Sequence, residues 1–147
     1  MKNIFFIAFL LITINSFSQI LDPVKWSTSI KKISETEIQL IAIANIDSGW
    51  HLYSQTVPKD GPIPTIFTFE SNGKFLKKGN TKEDEGITVD DPIFGMKIKF
   101  FEHKAVFKQV IKLKDKNISK VVAVVEFMVC DDSRCLPPTE VDLIFNM

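Results

Sequence analysis

Glu37-Ile38-Gln39-Leu40-Ile41-Ala42-Ile43-Ala44-Asn45-Ile46 sets Ile38, Leu40, Ala42, Ala44 and Ile46 on alternate positions, forming one apolar face. Successive residues of an extended chain point to opposite sides, so this period of two marks a strand with one side turned to a core. The pattern recurs in both directions. Upstream, Trp26, Thr28 and Ile30 alternate with Ser27, Ser29 and Lys31. Downstream, Thr65, Phe67 and Phe69 alternate with Ile66, Thr68 and Glu70, and Ala105, Phe107, Gln109, Ile111 and Leu113 with a face bearing Lys108 and Lys112. Val121 to Val129, VVAVVEFMV, is a β-branched run suited to a strand buried on both faces, and Val141, Leu143 and Phe145 close the chain with another alternating strand. Between the runs lie Asp47-Ser48-Gly49, Lys59-Asp60-Gly61-Pro62, Ser71-Asn72-Gly73, Gly79-Asn80 and Lys114-Asp115-Lys116-Asn117, all rich in residues that tolerate turns. No stretch carries an amphipathic helix of three turns or more. About seven to nine short strands predict an all-β fold, an immunoglobulin-like antiparallel β-sandwich. A barrel is the alternative, since periodicity does not reveal closure.

With 147 residues the chain is long enough for one domain. At 45% hydrophobic and 24% charged residues it has the apolar surface to offset the entropy of ordering, and 6 Gly and 7 Pro exclude collagen or a low-complexity polymer. Eighteen Lys and Arg balance eighteen Asp and Glu, so no broad positive field exists to attract nucleic acid.

The first eighteen residues differ from the rest. Lys2 is the only charge before Asp22, Ile4 to Ile14 is almost continuously apolar, and Asn15-Ser16-Phe17-Ser18 forms a small, polar exit. This is the form of a secretory signal peptide, with cleavage expected after Ser18. Its apolar stretch is too short for a bilayer, which needs roughly 20 residues. The expected mature product is a single exported domain over residues 19–147, periplasmic or secreted, without a membrane span.

Export changes the meaning of the two cysteines. In an oxidising compartment Cys130 and Cys135 are expected to form a disulfide. The pair lies between two predicted strands, so both thiols belong near a hairpin tip, and antiparallel neighbours lie about 4.5–5.5 Å apart at Cα, within disulfide range. As a staple the bond would contribute roughly 2 kcal/mol, because the closed loop is so short. As a reagent it needs an accessible thiolate, which positive neighbours favour and negative ones oppose. Asp131 and Asp132 follow Cys130, whereas Arg134 precedes Cys135, so local charge favours Cys135 as the attacking sulfur. Pro137 and Pro138 donate no backbone hydrogen bonds and keep the tip open.

Three segments carry a resemblance to a known family. Cys130 to Leu143, CDDSRCLPPTEVDL, resembles the paired-cysteine segment of the amino-terminal periplasmic domain of the thiol:disulfide interchange protein DsbD. Gly49-Trp50-His51-Leu52-Tyr53-Ser54-Gln55 is similar to that family's aromatic segment after an early strand. Asp91-Pro92-Ile93-Phe94-Gly95 matches the loop that carries its aromatic cap over the disulfide. The resemblance implies an immunoglobulin-like domain that receives electrons at its cysteine pair and passes them to exported thioredoxin-fold proteins. It also implies that Cys135 forms the mixed disulfide with partners. Either Ile93 or Phe94 takes the shielding position, and Gly95 permits the bend that folds the loop back. Family members usually continue into a membrane-spanning reductase segment and a thioredoxin-like domain. The sequence ends at Met147, so a separate membrane-embedded thiol reductase is the expected donor.

Two functions follow. In the first, Cys130 and Cys135 cycle between disulfide and dithiol without any cofactor, Cys130 resolves what Cys135 forms, and the Phe94 loop gates access. In the second, the chain is a binding module whose bridge only staples a hairpin, with Trp50 and Tyr53, and Pro137 near the tip, contacting a ligand. A soft-metal site drawing on His51, His103, Met96, Met128 and the cysteines lacks the short Met or His cluster such sites use. Glu83-Asp84-Glu85 with Asp90-Asp91 reads as a solvated acidic loop. No Ser/His/Asp order or phosphate-binding Gly loop supports hydrolase chemistry.

Overall fold

The computed structural model describes residues 21–70 and 73–147. The expected signal peptide, residues 1–18, and most of the Ser71-Asn72-Gly73 turn lie outside them. Among the described residues every regular element is a strand: β1 (Val24–Lys32), β2 (Glu37–Ile46), β3 (His51–Tyr53), β4 (Ile66–Phe69), β5 (Phe75–Glu83), β6 (Ile87–Asp91), β7 (Met96–Phe101), β8 (Lys104–Leu113), β9 (Lys120–Phe127), β10 (Val129–Cys130) and β11 (Thr139–Asn146). They form three antiparallel sheets of order β1-β2-β8-β5, β10-β3-β7-β6 and β11-β9-β4. No helix among the described residues is long and apolar enough to cross a membrane.

The alternating faces read from the sequence meet in one core. Leu40, Ala42 and Ala44 of β2 and Phe107 and Ile111 of β8 face Val121, Ala123 and Val125 of β9 and Leu143 and Phe145 of β11. Trp26 of β1 spans the two layers, its ring 6.0 Å from Phe67 of β4, 5.8 Å from Phe107 and 5.5 Å from Phe127 of β9. Deleting a buried aromatic of this kind costs about 3–5 kcal/mol, so this cluster dominates stability. The architecture is the expected antiparallel β-sandwich.

Three details depart from the sequence reading. First, there are eleven strands among the described residues, the extra ones including the β6–β7 hairpin, which Asp90-Asp91-Pro92 and Gly95 give the composition of a loop. Second, Val121 to Val129 is not one strand buried on both faces. Its second face is only half-buried, and Met128 separates β9 from β10, handing the chain from one sheet to another. Third, Gly79-Asn80 is not a turn between strands but lies at a register shift inside β5. Gly79 adopts φ 69°, open to Gly without strain. The buried Gln109 amide fills the irregularity, donating to the carbonyls of Lys78 and Gly79 and accepting from Thr81 Oγ1 at 2.9 Å.

Candidate functional site

The sheet β10-β3-β7-β6 has two apolar faces, and they serve different ends. Leu52, Val129 and Phe101, mutually paired, join the main core. Their neighbours one position along are His51 opposite Cys130 and Tyr53 opposite Phe100. Tyr53, Phe100, Cys130 and Ile98 make a second, smaller cluster, against which Phe94, Met96, Met128, Val57 and Cys135 pack. Period two thus places the cysteine on the face that the main core does not use.

Cys130 and Cys135 are joined by a disulfide, with their Cα atoms 4.0 Å apart. They pair as an isolated antiparallel bridge at the tip of a turn, closed by the Asp131 N–H donating to the Arg134 carbonyl at 2.9 Å. Behind the tip, the Leu136 N–H donates to the Val129 carbonyl at 2.9 Å, and the two prolines then interrupt pairing until β11. Cys130 is fully buried, whereas Cys135 is only partly so. An attacking or leaving sulfur needs access, which the second cysteine has and the first lacks.

The charges around the tip are engaged in building it. Asp131 accepts from the N–H groups of Ser133 and Arg134, both at 2.8 Å, and from Arg134 Nε at 3.3 Å. The Ser133 N–H outweighs desolvation and, with the weaker help of the Arg134 bonds and charge, holds its carboxyl below the usual range. The Arg134 guanidinium also lies 5.9 Å from the centre of the Trp50 ring. Arg134 therefore brings its cation to the tip as one half of a pair with Asp131.

The Asp91-to-Gly95 loop joins β6 to β7 and is tied down by Asp91. One carboxylate oxygen accepts from the Ile93 and Phe94 N–H groups at 2.9 and 3.1 Å, and the other from the Tyr53 hydroxyl at 3.1 Å. The Asp91 carbonyl takes the Gly95 N–H at 2.8 Å, and Gly95 turns with φ 63°. Asp91 is buried at 4% exposure with an internal partner and so departs from the solvated acidic loop expected, whereas Asp84, Glu85 and Asp90 are exposed. Burial, then the Asp91 charge and hydrogen bond, push the Tyr53 hydroxyl far above its ordinary value, and it stays a neutral donor. The loop so held sets the Phe94 ring edge-on to Tyr53 at 6.0 Å, against the cluster containing both cysteines. Ile93 points outward and is 40% exposed.

Several expected residues lie elsewhere. Tyr53 is fully buried and offers no surface to a ligand, because period two turns it inward beneath the loop. Trp50 packs partly against the main core, and Pro137 is exposed beyond the tip. His103 occupies a turn between β7 and β8 at φ 61°. The described residues contain no group of three or more His, Cys, Asp or Glu able to hold a metal ion. One role and one residue escaped the sequence reading. Asp91, four positions before Gly95, had a local signal: an Asp whose side chain can bond the backbone two and three residues on. Glu102, with Oε1 3.2 Å from His51 Nε2, had none, because only strand pairing brings it to β3.

The family model for the N-terminal region of the thiol:disulfide interchange protein DsbD matches residues 19–145. The chain belongs to the DsbD N-terminal family. Two solved structures agree on the fold. The N-terminal periplasmic domain of ScsB from Proteus mirabilis superposes with TM-score 0.55 at 15% identity, over 84% of this chain and 45% of that one. The complex between the DsbD N-terminal and PilB N-terminal domains from Neisseria meningitidis contains a match with TM-score 0.53 at 11% identity, over 86% and 87% of the two chains. The reduced DsbD N-terminal domain of the same organism matches with TM-score 0.49 at 14% identity, over 87% and 90%. No curated protein sequence is significantly similar. The sandwich is thus an immunoglobulin-like one, and its disulfide lies in the segment by which the sequence resembles DsbD N-terminal domains.

Proposed function

We propose that this DsbD-family domain is an exported thiol:disulfide interchange module in which Cys135 exchanges with partners and Cys130 resolves. The observation that carries the reading is the asymmetry of the pair: one sulfur buried and one reachable, joined across a two-strand tip beneath a tethered aromatic loop. In the reduced state the Cys135 thiolate attacks a partner disulfide, forming a mixed disulfide and releasing the partner's other sulfur as a thiolate. Cys130 then attacks the Cys135 sulfur, closing the internal disulfide and expelling the partner's second sulfur. Two electrons pass to the partner, and a membrane-embedded thiol reductase returns them.

Phe94 acts as the lid. Its ring covers the cluster holding the sulfurs, so an approaching partner must displace it, which restricts exchange to proteins shaped to do so. Ile93, Arg134 and Trp50 ring the opening and contact the incoming thioredoxin-fold protein, with Pro137 beside them. Residues 1–18 direct export, residues 19–147 form the working domain, and the periplasm is its compartment.

The competing function, a hairpin staple in a binding module, makes opposite predictions. With Cys130→Ser the relay accumulates mixed disulfides through Cys135 with thioredoxin-fold proteins, visible on non-reducing gels of the exporting cell. Its reduction potential lies above about −300 mV, the level below which structural bridges sit. Absence of adducts together with a potential below that level would establish the staple.

A further inference from the structure

Resolution of the mixed disulfide requires a Cys130 thiolate, yet Cys130 is fully buried, and burial in apolar surroundings opposes ionisation of a thiol. A base within reach is needed. Its cluster partners are Phe100, Ile98 and Tyr53, none of which is a base at neutral pH. Tyr53 is committed as a donor to Asp91, whose two oxygens are already taken by that hydroxyl and by the loop N–H groups. Asp131 is likewise occupied by the turn and Arg134.

His51 remains. It sits directly across the strand pair from Cys130. Side chains opposite one another in an antiparallel pair leave the same face with Cβ atoms about 4.5–5.5 Å apart, within reach of an imidazole for a sulfur. Its ring stacks on Phe100 at 4.4 Å between centroids, and its Nε2 lies 3.2 Å from Glu102 Oε1. A carboxylate at one ring nitrogen favours the tautomer protonated there, leaving the other nitrogen free to accept. A cavity of about 270 Å³, lined by His51, Glu102, Asp91, Asp131 and Asp132, opens beside the ring and gives the proton a way out.

We infer that His51 is the general base for Cys130, positioned by Glu102. The imidazole takes the Cys130 thiol proton as that sulfur attacks Cys135, the Cys135–partner bond breaks, and the partner sulfur leaves with the electron pair. The imidazolium then yields its proton to the departing thiolate or to water in the cavity. The charged groups lining the cavity beside it are Glu102, Asp91, Asp131 and Asp132, with Asp131 paired to Arg134. The assignment rests on the roles proposed above for the two cysteines, but its test uses no protein partner.

The dithiothreitol-reduced mature protein is mixed with Ellman's reagent in a stopped-flow instrument between pH 5 and 9. Attack by Cys135 releases one nitrothiobenzoate, and resolution by Cys130 releases the second. In the wild type the second phase rises with pH below the ordinary thiol range of about 8.5. In His51→Gln that phase slows roughly 10²-fold at neutral pH and rises only through the thiol range, while the first phase is unchanged. Glu102→Gln gives a smaller loss confined to the second phase, and it carries the test if His51→Gln unfolds at a lower temperature than the wild type. A second phase unaltered in rate and pH profile, or an equal slowing of both phases, overturns the assignment. If resolution depends on His51 but no thioredoxin-fold protein is trapped by Cys130→Ser, the base stands and the relay falls.

Discussion

The two faces of the sheet β10-β3-β7-β6 are built from the same strands, one residue out of step, and they do opposite work. Leu52, Phe101 and Val129 enter a core shared by all three sheets, where aromatic rings interlock across both layers. Cys130, Tyr53 and Phe100 enter a small cluster covered by one loop and its phenylalanine. Large shared cores hold a fold, whereas a minor cluster under a tethered loop opens at lower cost. The disulfide is anchored on the second face through Cys130, on a strand that the first keeps rigid.

Breaking the main core should produce the largest effect and leave the chemistry alone. Phe107→Ala, at a fully buried ring packed on Trp26, Phe67 and Phe101, should lower unfolding stability by about 3–5 kcal/mol in denaturant titration. Folded molecules should still reduce at the wild-type rate, and a matching change in that rate would erase the distinction between the faces. The reverse result is expected at Tyr53→Phe, which removes the hydroxyl that ties Asp91 and the loop to β3. Its stability cost should be smaller, about 1.5–3 kcal/mol for a hydrogen bond to a buried carboxylate, but reduction by dithiothreitol should become faster. A rate equal to wild type would show that the clamp does not govern access.

The smallest effect is a pH dependence at the margin of the first face, where Lys99 lies over the Phe101 ring. Glu83 sits at the end of β5 and receives Ser54 Oγ at 2.5 Å, the Gln55 N–H at 2.8 Å and Lys99 Nζ at 2.9 Å. Burial alone would raise its carboxyl, but these three partners outweigh it and hold the value below the ordinary range. The folded state thus binds fewer protons than the unfolded one. The stability Glu83 contributes is present above the unfolded carboxylate value of about 4.3 and lost as pH falls through the depressed folded value. Glu83→Gln should be less stable than wild type at pH 7, with the gap closing in acid. A gap of constant size down to pH 3 contradicts the linkage.

Period two in β1, β2, β4, β8, β9 and β11 was plain in the sequence because each strand has one side in the main core. The β6–β7 hairpin also alternates, Met96, Ile98 and Phe100 with Lys97 and Lys99, but Asp90-Asp91-Pro92 and Gly95 give the segment the composition of a loop. The cysteine pair announced a hairpin tip by its spacing. Nothing local announced that Tyr53 would be buried or that Asp91 would accept its hydroxyl, because each residue's environment is supplied by the other, 38 positions away.

Composition and alternation along the chain sufficed to specify strands, an antiparallel all-β chain and two sulfurs close enough to bond, since these depend on near neighbours. Only tertiary structure decided which sulfur is buried, which ring packs against its cluster and which histidine stands opposite. Those are relations between segments distant in sequence, set by register and by the packing of one sheet's second face.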